Sequence, residues 1–211
     1  MNKAAFAYSF HVLFHPLDGF WDLKNEKKGR LSVAFVYLGA WFATNVLGQM
    51  ATGFLFNERY DVPLDIFREF RAVFLPFLLF AVGNWSVTTL MDGKGYFRDI
   101  VMVVGYASMP LTLVRVPAIV LSNVLASSEI LYYTVLTGLA WAWFGVLLFL
   151  GIMMVHDYSL AKTVGTLLLT LAAMLVIVFL AVVFYNIFSV LLSFVMAAYK
   201  DCLLYTSDAA D

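Results

Sequence analysis

"LSVAFVYLGAWFATNVLGQMATGFLF", Leu31 to Phe56, contains no Asp, Glu, Lys or Arg. A helix of roughly 20 apolar residues crosses the ~30 Å hydrocarbon core of a bilayer. Backbone polar groups inside that core must be satisfied within the segment, so the run reads as a transmembrane helix. Four further apolar runs follow at Ala72 to Met91, Ile100 to Leu125, Ile130 to Val155 and Val164 to about Tyr185. The apolar sequence continues to Tyr199, and one helix from Val164 to that point would exceed ~50 Å at ~1.5 Å per residue. A break is therefore expected near Asn186, with Phe188 to Tyr199 interfacial or reversed. The prediction is an all-α integral membrane bundle of about five spans, with 1–30 as an interfacial segment and 31–200 as one transmembrane domain.

Composition agrees. Hydrophobic residues make up 63% of the 211 and charged residues 13%, about half the charged share of an ordinary soluble domain. The mean hydropathy is +0.89. Such a chain has the lipid bilayer as its principal partner. A net charge of −1 suggests no nucleic acid, and Cys202 alone permits neither an internal disulfide nor a cysteine metal site. "CLLYTSDAAD", Cys202 to Asp211, resembles a translated transposon-end sequencing adapter and is read as a scar outside the fold.

Ahead of the first span, "HPLDGFWDLKNEKKGR" sets Phe20, Trp21 and Leu23 beside Lys24, Lys27, Lys28 and Arg30. Aromatics next to lysines predict an amphipathic helix in the headgroup layer, started by Pro16. Ala4 to Phe14 is apolar, but no small-residue cleavage site follows it and the charge cluster comes after it instead of before, so it is not read as a signal peptide. Lys and Arg fall mostly on the side that holds the N-terminus, with Lys94, Arg98 and Lys162. This predicts an N-terminus inside and a C-terminus outside the membrane.

No H-E-x-x-H or G-x-S-x-G occurs, and "GKG" lacks the rest of a phosphate-binding loop. The chain is read as non-enzymatic, with no catalytic residue, cofactor or metal. The polar groups that need an account lie between Asn84 and Pro117. Asn84 and Arg115 form a candidate intramembrane polar site. A charge deep in a span either snorkels to the headgroups or pairs within the bundle, and for Arg115 both readings stand. Pro110 and Pro117 predict a kinked or broken third span, and Gly105 with Tyr106 a close helix crossing. Asp92, Gly93, Lys94 and Arg98 form a charged turn, read either as interfacial anchoring or as a face for a membrane or cytoplasmic partner. The remaining candidate lipid contacts are Trp21, Lys24, Lys27, Lys28 and Arg30.

"FHPLDGFWDLKNEKKG", "NWSVTTLMDGKGYFRDI", "GYASMPLTLVRVP" and "HDYSLAKT" together resemble the Yip (Ypt-interacting protein) domain family in its bacterial branch. The resemblance runs from about Phe6 to Lys200. It implies a five-span protein, here of the bacterial cytoplasmic membrane, without known enzymatic chemistry. It adds weight to the turn between the second and third spans, and Gly105, Tyr106 and Pro110 match the Gly-Tyr and Pro that members tend to keep in the third; Arg115 lies outside the family pattern. The trafficking role of eukaryotic relatives with Rab-type GTPases is not carried over. The functional expectation is a membrane-organising or adaptor component, with a small transporter, or the membrane subunit of one, as the alternative.

Overall fold

A computed structural model describes the backbone of residues 3–57 and 59–208 and the side chains of 6–57 and 59–200. The helices in chain order are α1 (Lys3–Phe14), α2 (Pro16–Asn25), α3 (Leu31–Ala51), α4 (Ile66–Leu90), α5 (Phe97–Ala107), α6 (Met109–Ser122), α7 (Ile130–His156) and α8 (Leu160–Asp208). No strand occurs among the described residues. Five spans are long and apolar enough to cross a bilayer: α3, α4, α5 with α6, α7, and α8 as far as Lys200.

The third span is the most buried of the five. It is broken at Ser108, where α5 stops and α6 restarts with Pro110 in its first turn. A proline there loses no bond, because first-turn N–H groups lack helical partners anyway. Ser108 Oγ donates to the Gly105 carbonyl at 2.8 Å, satisfying part of the interrupted ladder. Pro117 lies within α6, which continues across it. Gly105 meets α3 so closely that a Cβ added to it would fall 2.4 Å from Ala34 Cβ and 2.6 Å from Ala34 Cα. Tyr106, 1% exposed, accepts a 3.2 Å hydrogen bond at its hydroxyl from the Arg30 backbone N–H.

Several expectations are corrected. The first span, α3, ends at Ala51 rather than near Phe56. Gly53 then passes against the end of α6, with its N–H 2.9 Å from Ser122 Oγ, while Asn123 Nδ2 donates to the Ala51 carbonyl at 2.8 Å. In the charged stretch before the second span, residues 59–65 are turns and loop, and Ile66–Arg71 are the first turns of α4. Asp65 caps it by accepting from the Phe67 and Arg68 N–H groups at 2.9 and 3.2 Å. The expected break at Asn186 is absent: α8 runs straight through, and Asn186 Nδ2 bonds the Val182 carbonyl inside the helix. The side chains of the Cys202–Asp211 tail lie outside the described residues.

The N-terminal segment folds back onto the bundle. α1 and α2 fold as a hairpin, with Pro16 in the first turn of α2, and α2 packs on α7. Phe20 is 0% exposed and Leu23 1% exposed, both in the core cluster of the bundle. A helix face with this pattern is equally stable against lipid or protein, and here protein covers it. Trp21 stays exposed. α1 and α2 thus cap one end of the bundle, called the capped end below.

Candidate functional site

Three segments distant in sequence meet at the capped end: α2, the Met91–Tyr96 turn before α5, and the Asp157–Ser159 turn after α7. Asp92 (φ 54°) and Asp157 (φ 57°) both adopt the left-handed conformation that ends a helix. The glycines of the first turn serve another purpose, because neither has a positive φ. A Cβ on Gly93 would fall 2.5 Å from His156 Nδ1 and 2.8 Å from Tyr158 Oη, and one on Gly95 would fall 2.6 Å from Val155 Cγ1. The turn needs glycine because its backbone lies directly against His156. The Gly95 N–H donates to His156 Nδ1 at 3.3 Å, and Tyr158 Oη donates to the Met91 carbonyl at 3.0 Å. Lys94 pairs with Asp157 at 2.6 Å, and Lys162 stands over the Tyr158 ring, 4.3 Å from its centroid.

The basic residues sort themselves by partner. Lys24 Nζ donates to the Val155 carbonyl at the end of α7, so it ties α2 to the bundle. Burial pulls it below the usual lysine value, and Asp99 and Asp157 oppose that shift. Lys28 bridges Asp22 and Glu26 at 2.7 and 2.5 Å, and its hydrogen bonds to these carboxylates raise it. The hydrogen bond and charge of Lys94 hold Asp157 below the usual carboxylate range. Among the described residues, Lys27 and Arg98 have no ion-pair partner.

Two grooves flank the exposed Tyr96. One, of about 410 Å³, is lined by Trp21, Lys24, Asn25, Lys94, Tyr96 and Asp157, among others. The other, of about 390 Å³, adds Lys27, Arg98 and Asp99. Lys24, Asn25 and Tyr96 belong to both. Asp99 is buried and closes a capping box, its carboxylate accepting from the Tyr96 N–H at 3.0 Å. The structure therefore gathers Trp21, Lys24, Lys27, Lys94 and Arg98 around one surface. Asp92, Lys28 and Arg30 line neither groove, and Gly93 supports the surface from beneath.

Asn84 and Arg115 are not brought together as one site. Asn84, 0% exposed, donates to Thr170 Oγ1 of α8 at 3.0 Å, and its Oδ1 has no hydrogen-bond partner. Thr163, Thr166 and Thr170 form a buried polar stripe on α8, and Gly83 admits that helix closely. Arg115 turns into the bundle near the opposite end, where its guanidinium donates to Tyr133 Oη at 3.2 Å. It lies so close to α3 that a Cβ on Gly48 would fall 2.6 Å from it.

Sequence reading missed Glu69. It is 1% exposed, although its neighbours Arg68 and Arg71 make the local sequence strongly charged. Arg59 reaches it at 2.6 Å and Arg68 at 3.5 Å. A visible signal was available: Asp65 as a cap followed by Ile66, Phe70, Val73 and Phe77 at helical spacing, which places Glu69 on the helix. His156 was also passed over, because its partners Gly93 and Gly95 are remote in sequence.

The fold and this geometry define a multi-pass helical membrane protein with an amphipathic helical cap. The Yip1 domain model matches residues 10–183, from α1 through most of the spanning part of α8. The chain belongs to the Yip1 domain family. Comparisons with curated proteins and with solved structures returned no match.

Proposed function

We propose that this protein is a non-enzymatic adaptor of the bacterial cytoplasmic membrane, and that its capped end is the surface a partner protein reads. The carrying observation is the pair of grooves beside Tyr96, which hold two cations with neither an ion-pair nor a side-chain hydrogen-bond partner among the described residues, Lys27 and Arg98, next to exposed Trp21. Interfaces favour aromatic and arginine anchors of this kind. The chemistry fits an acidic, partly apolar segment of a partner lying close to the membrane. The excess of Lys and Arg at this end supports a cytoplasmic position for it, and anionic lipid would add about 1 kcal/mol per nearby basic residue.

The test is affinity purification of the full chain after in-cell cross-linking, comparing wild type with the Lys27→Glu/Arg98→Glu double variant. A partner recovered with wild type and lost with the folded double variant supports the reading. Equal recovery with both removes this face from the interaction.

A second reading, a small transporter or membrane subunit of one, is favoured by the interruption of the third span at Ser108. Broken helices within a bundle are how many transporters build binding sites. Arg115→Leu would then abolish flux with the fold intact, whereas an adaptor would keep its level and partners.

A further inference from the structure

Away from the capped end, two cavities meet between α3, α4, α6 and α7. The smaller, of about 240 Å³, is lined by Arg115, Arg59, Asn45, Thr137, Trp41 and Trp141, among others. The larger, of about 370 Å³, shares Trp41, Asn45, Arg59 and Trp141, adds the Glu69 carboxylate beside Arg59, and continues among Phe77, Phe80, Val104, Phe144 and Leu148. One end is thus cationic and amide-lined, and the other is almost wholly apolar. From Trp141 to Leu148, α7 carries the apolar wall about 10 Å further along the bundle.

The charges at the polar end do not cancel. Glu69 is held by Arg59 at 2.6 Å and by Arg68 at 3.5 Å. Arg115 has one neutral hydrogen-bond partner, Tyr133, and its Nε is buried without an acceptor. Among the described residues no carboxylate pairs with it, so Arg59 and Arg68 share Glu69 while Arg115 keeps an unpaired charge. The close approach of Gly48 holds the Arg115 head beside α3, inside the span. A permanent charge inside a span snorkels or finds a partner; Arg115 turns into the bundle with its Nε unpaired, and guanidinium is the side chain best suited to oxyanions.

We infer that this double cavity binds an anionic amphiphile, with its oxyanion head on Arg115, Arg59 and Asn45 and its acyl chain between Phe77, Phe80, Phe144 and Leu148. The site lies apart from the proposed partner surface, and neither inference depends on the other.

The experiment measures binding of dodecyl phosphate to the full chain in a neutral detergent by native mass spectrometry, with inorganic phosphate and dodecanol as companion probes. The expected result is one dodecyl phosphate per chain, with affinity reduced at least about ten-fold by Arg115→Met and partly restored by Arg115→Lys. Leu148→Trp fills the apolar end without touching the arginine and is expected to weaken the same probe. It keeps the test decisive if Arg115→Met does not fold. Unchanged affinity in a folded Arg115→Met or Leu148→Trp variant would overturn the inference. So would dodecanol binding as tightly as dodecyl phosphate, which removes the anion, or inorganic phosphate competing at equal concentration, which removes the chain.

Discussion

Tyr158 donates a 3.0 Å hydrogen bond to the carbonyl of Met91, joining the turn after the fourth span to the turn that ends the second. The contact fixes the height at which His156 meets Gly93 and Gly95, and with it the position of Tyr96 between the two grooves. Tyr158→Phe removes the donor and keeps the ring. A loss of about 0.5–1.5 kcal/mol is expected, the ordinary net worth of such a bond. Thermal scanning in detergent reads it, and no change would mean that the ring alone sets the turn.

Gly93→Ala is expected to be worse. Its Cβ would collide with His156 Nδ1 at 2.5 Å and with Tyr158 Oη, and overpacking of this kind costs about 1–3 kcal/mol. Because φ at Gly93 is not positive, the cost comes from space and not from backbone strain. Shrinking the histidine in a Gly93→Ala/His156→Ala double variant should recover part of the loss relative to the sum of the single variants. Strict additivity would contradict the contact.

Gly105→Val drives a branched side chain into α3, where even a Cβ would stand 2.4 Å from Ala34 Cβ. The nearest atoms include α3 backbone, which cannot turn aside, so the helices must separate. The variant is expected to lose at least about 3 kcal/mol, the upper end of ordinary overpacking, or to fail to accumulate. Wild-type stability would show that α3 and α5 do not cross at this glycine.

Arg59→Ala leaves Glu69 with Arg68 alone. Breaking a fully buried ion pair costs about 3–5 kcal/mol, but the Arg59 side chain is 45% exposed. Solvent screening lowers the expected loss to about 1–2 kcal/mol. Adding Glu69→Gln should return much of it, since no unpaired carboxylate then remains. If the double variant is no better than Arg59→Ala, the carboxylate is not what the arginine serves.

The Lys94–Asp157 pair carries a pH signature. Lys94 depresses the Asp157 value in the folded state. The pair therefore adds stability above the unfolded aspartate range, about pH 4, and that increment is lost as pH falls through the folded value. Asn accepts the left-handed conformation found at this position as Asp does, so Asp157→Asn isolates the charge. Thermal scans of wild type and variant should differ near neutrality and converge in acid. A gap that stays constant with pH would assign the effect to the helix end instead of the charge pair.

Much of this architecture was readable from single features. Charge-free runs reveal the spans because no soluble surface can be built from them, and Pro110 marks the interruption of the third span because a missing N–H costs least in a helix's first turn, whereas Pro117 leaves α6 continuous. Lipid-facing and protein-facing residues are harder to separate. Phe20 and Leu23 carry the pattern of a membrane-surface helix yet lie in the core, since hydrophobicity does not say which apolar medium receives it. The long apolar run through Asn186 hid its continuity for a related reason: an amide can close onto its own helix and leave no break. The tightness of Gly93 and Gly95 depends on His156, which no local pattern connects to them.

The adaptor reading is tested most directly by a photo-activatable amino acid at Tyr96, which is 73% exposed between the two grooves, with the same probe at Tyr132, near the opposite end of the bundle, as the control. The account predicts one protein adduct, recovered in near-equal amount with this chain, at Tyr96 and none at Tyr132. Lipid adducts alone at Tyr96, or the same protein adducts at both positions, would contradict it.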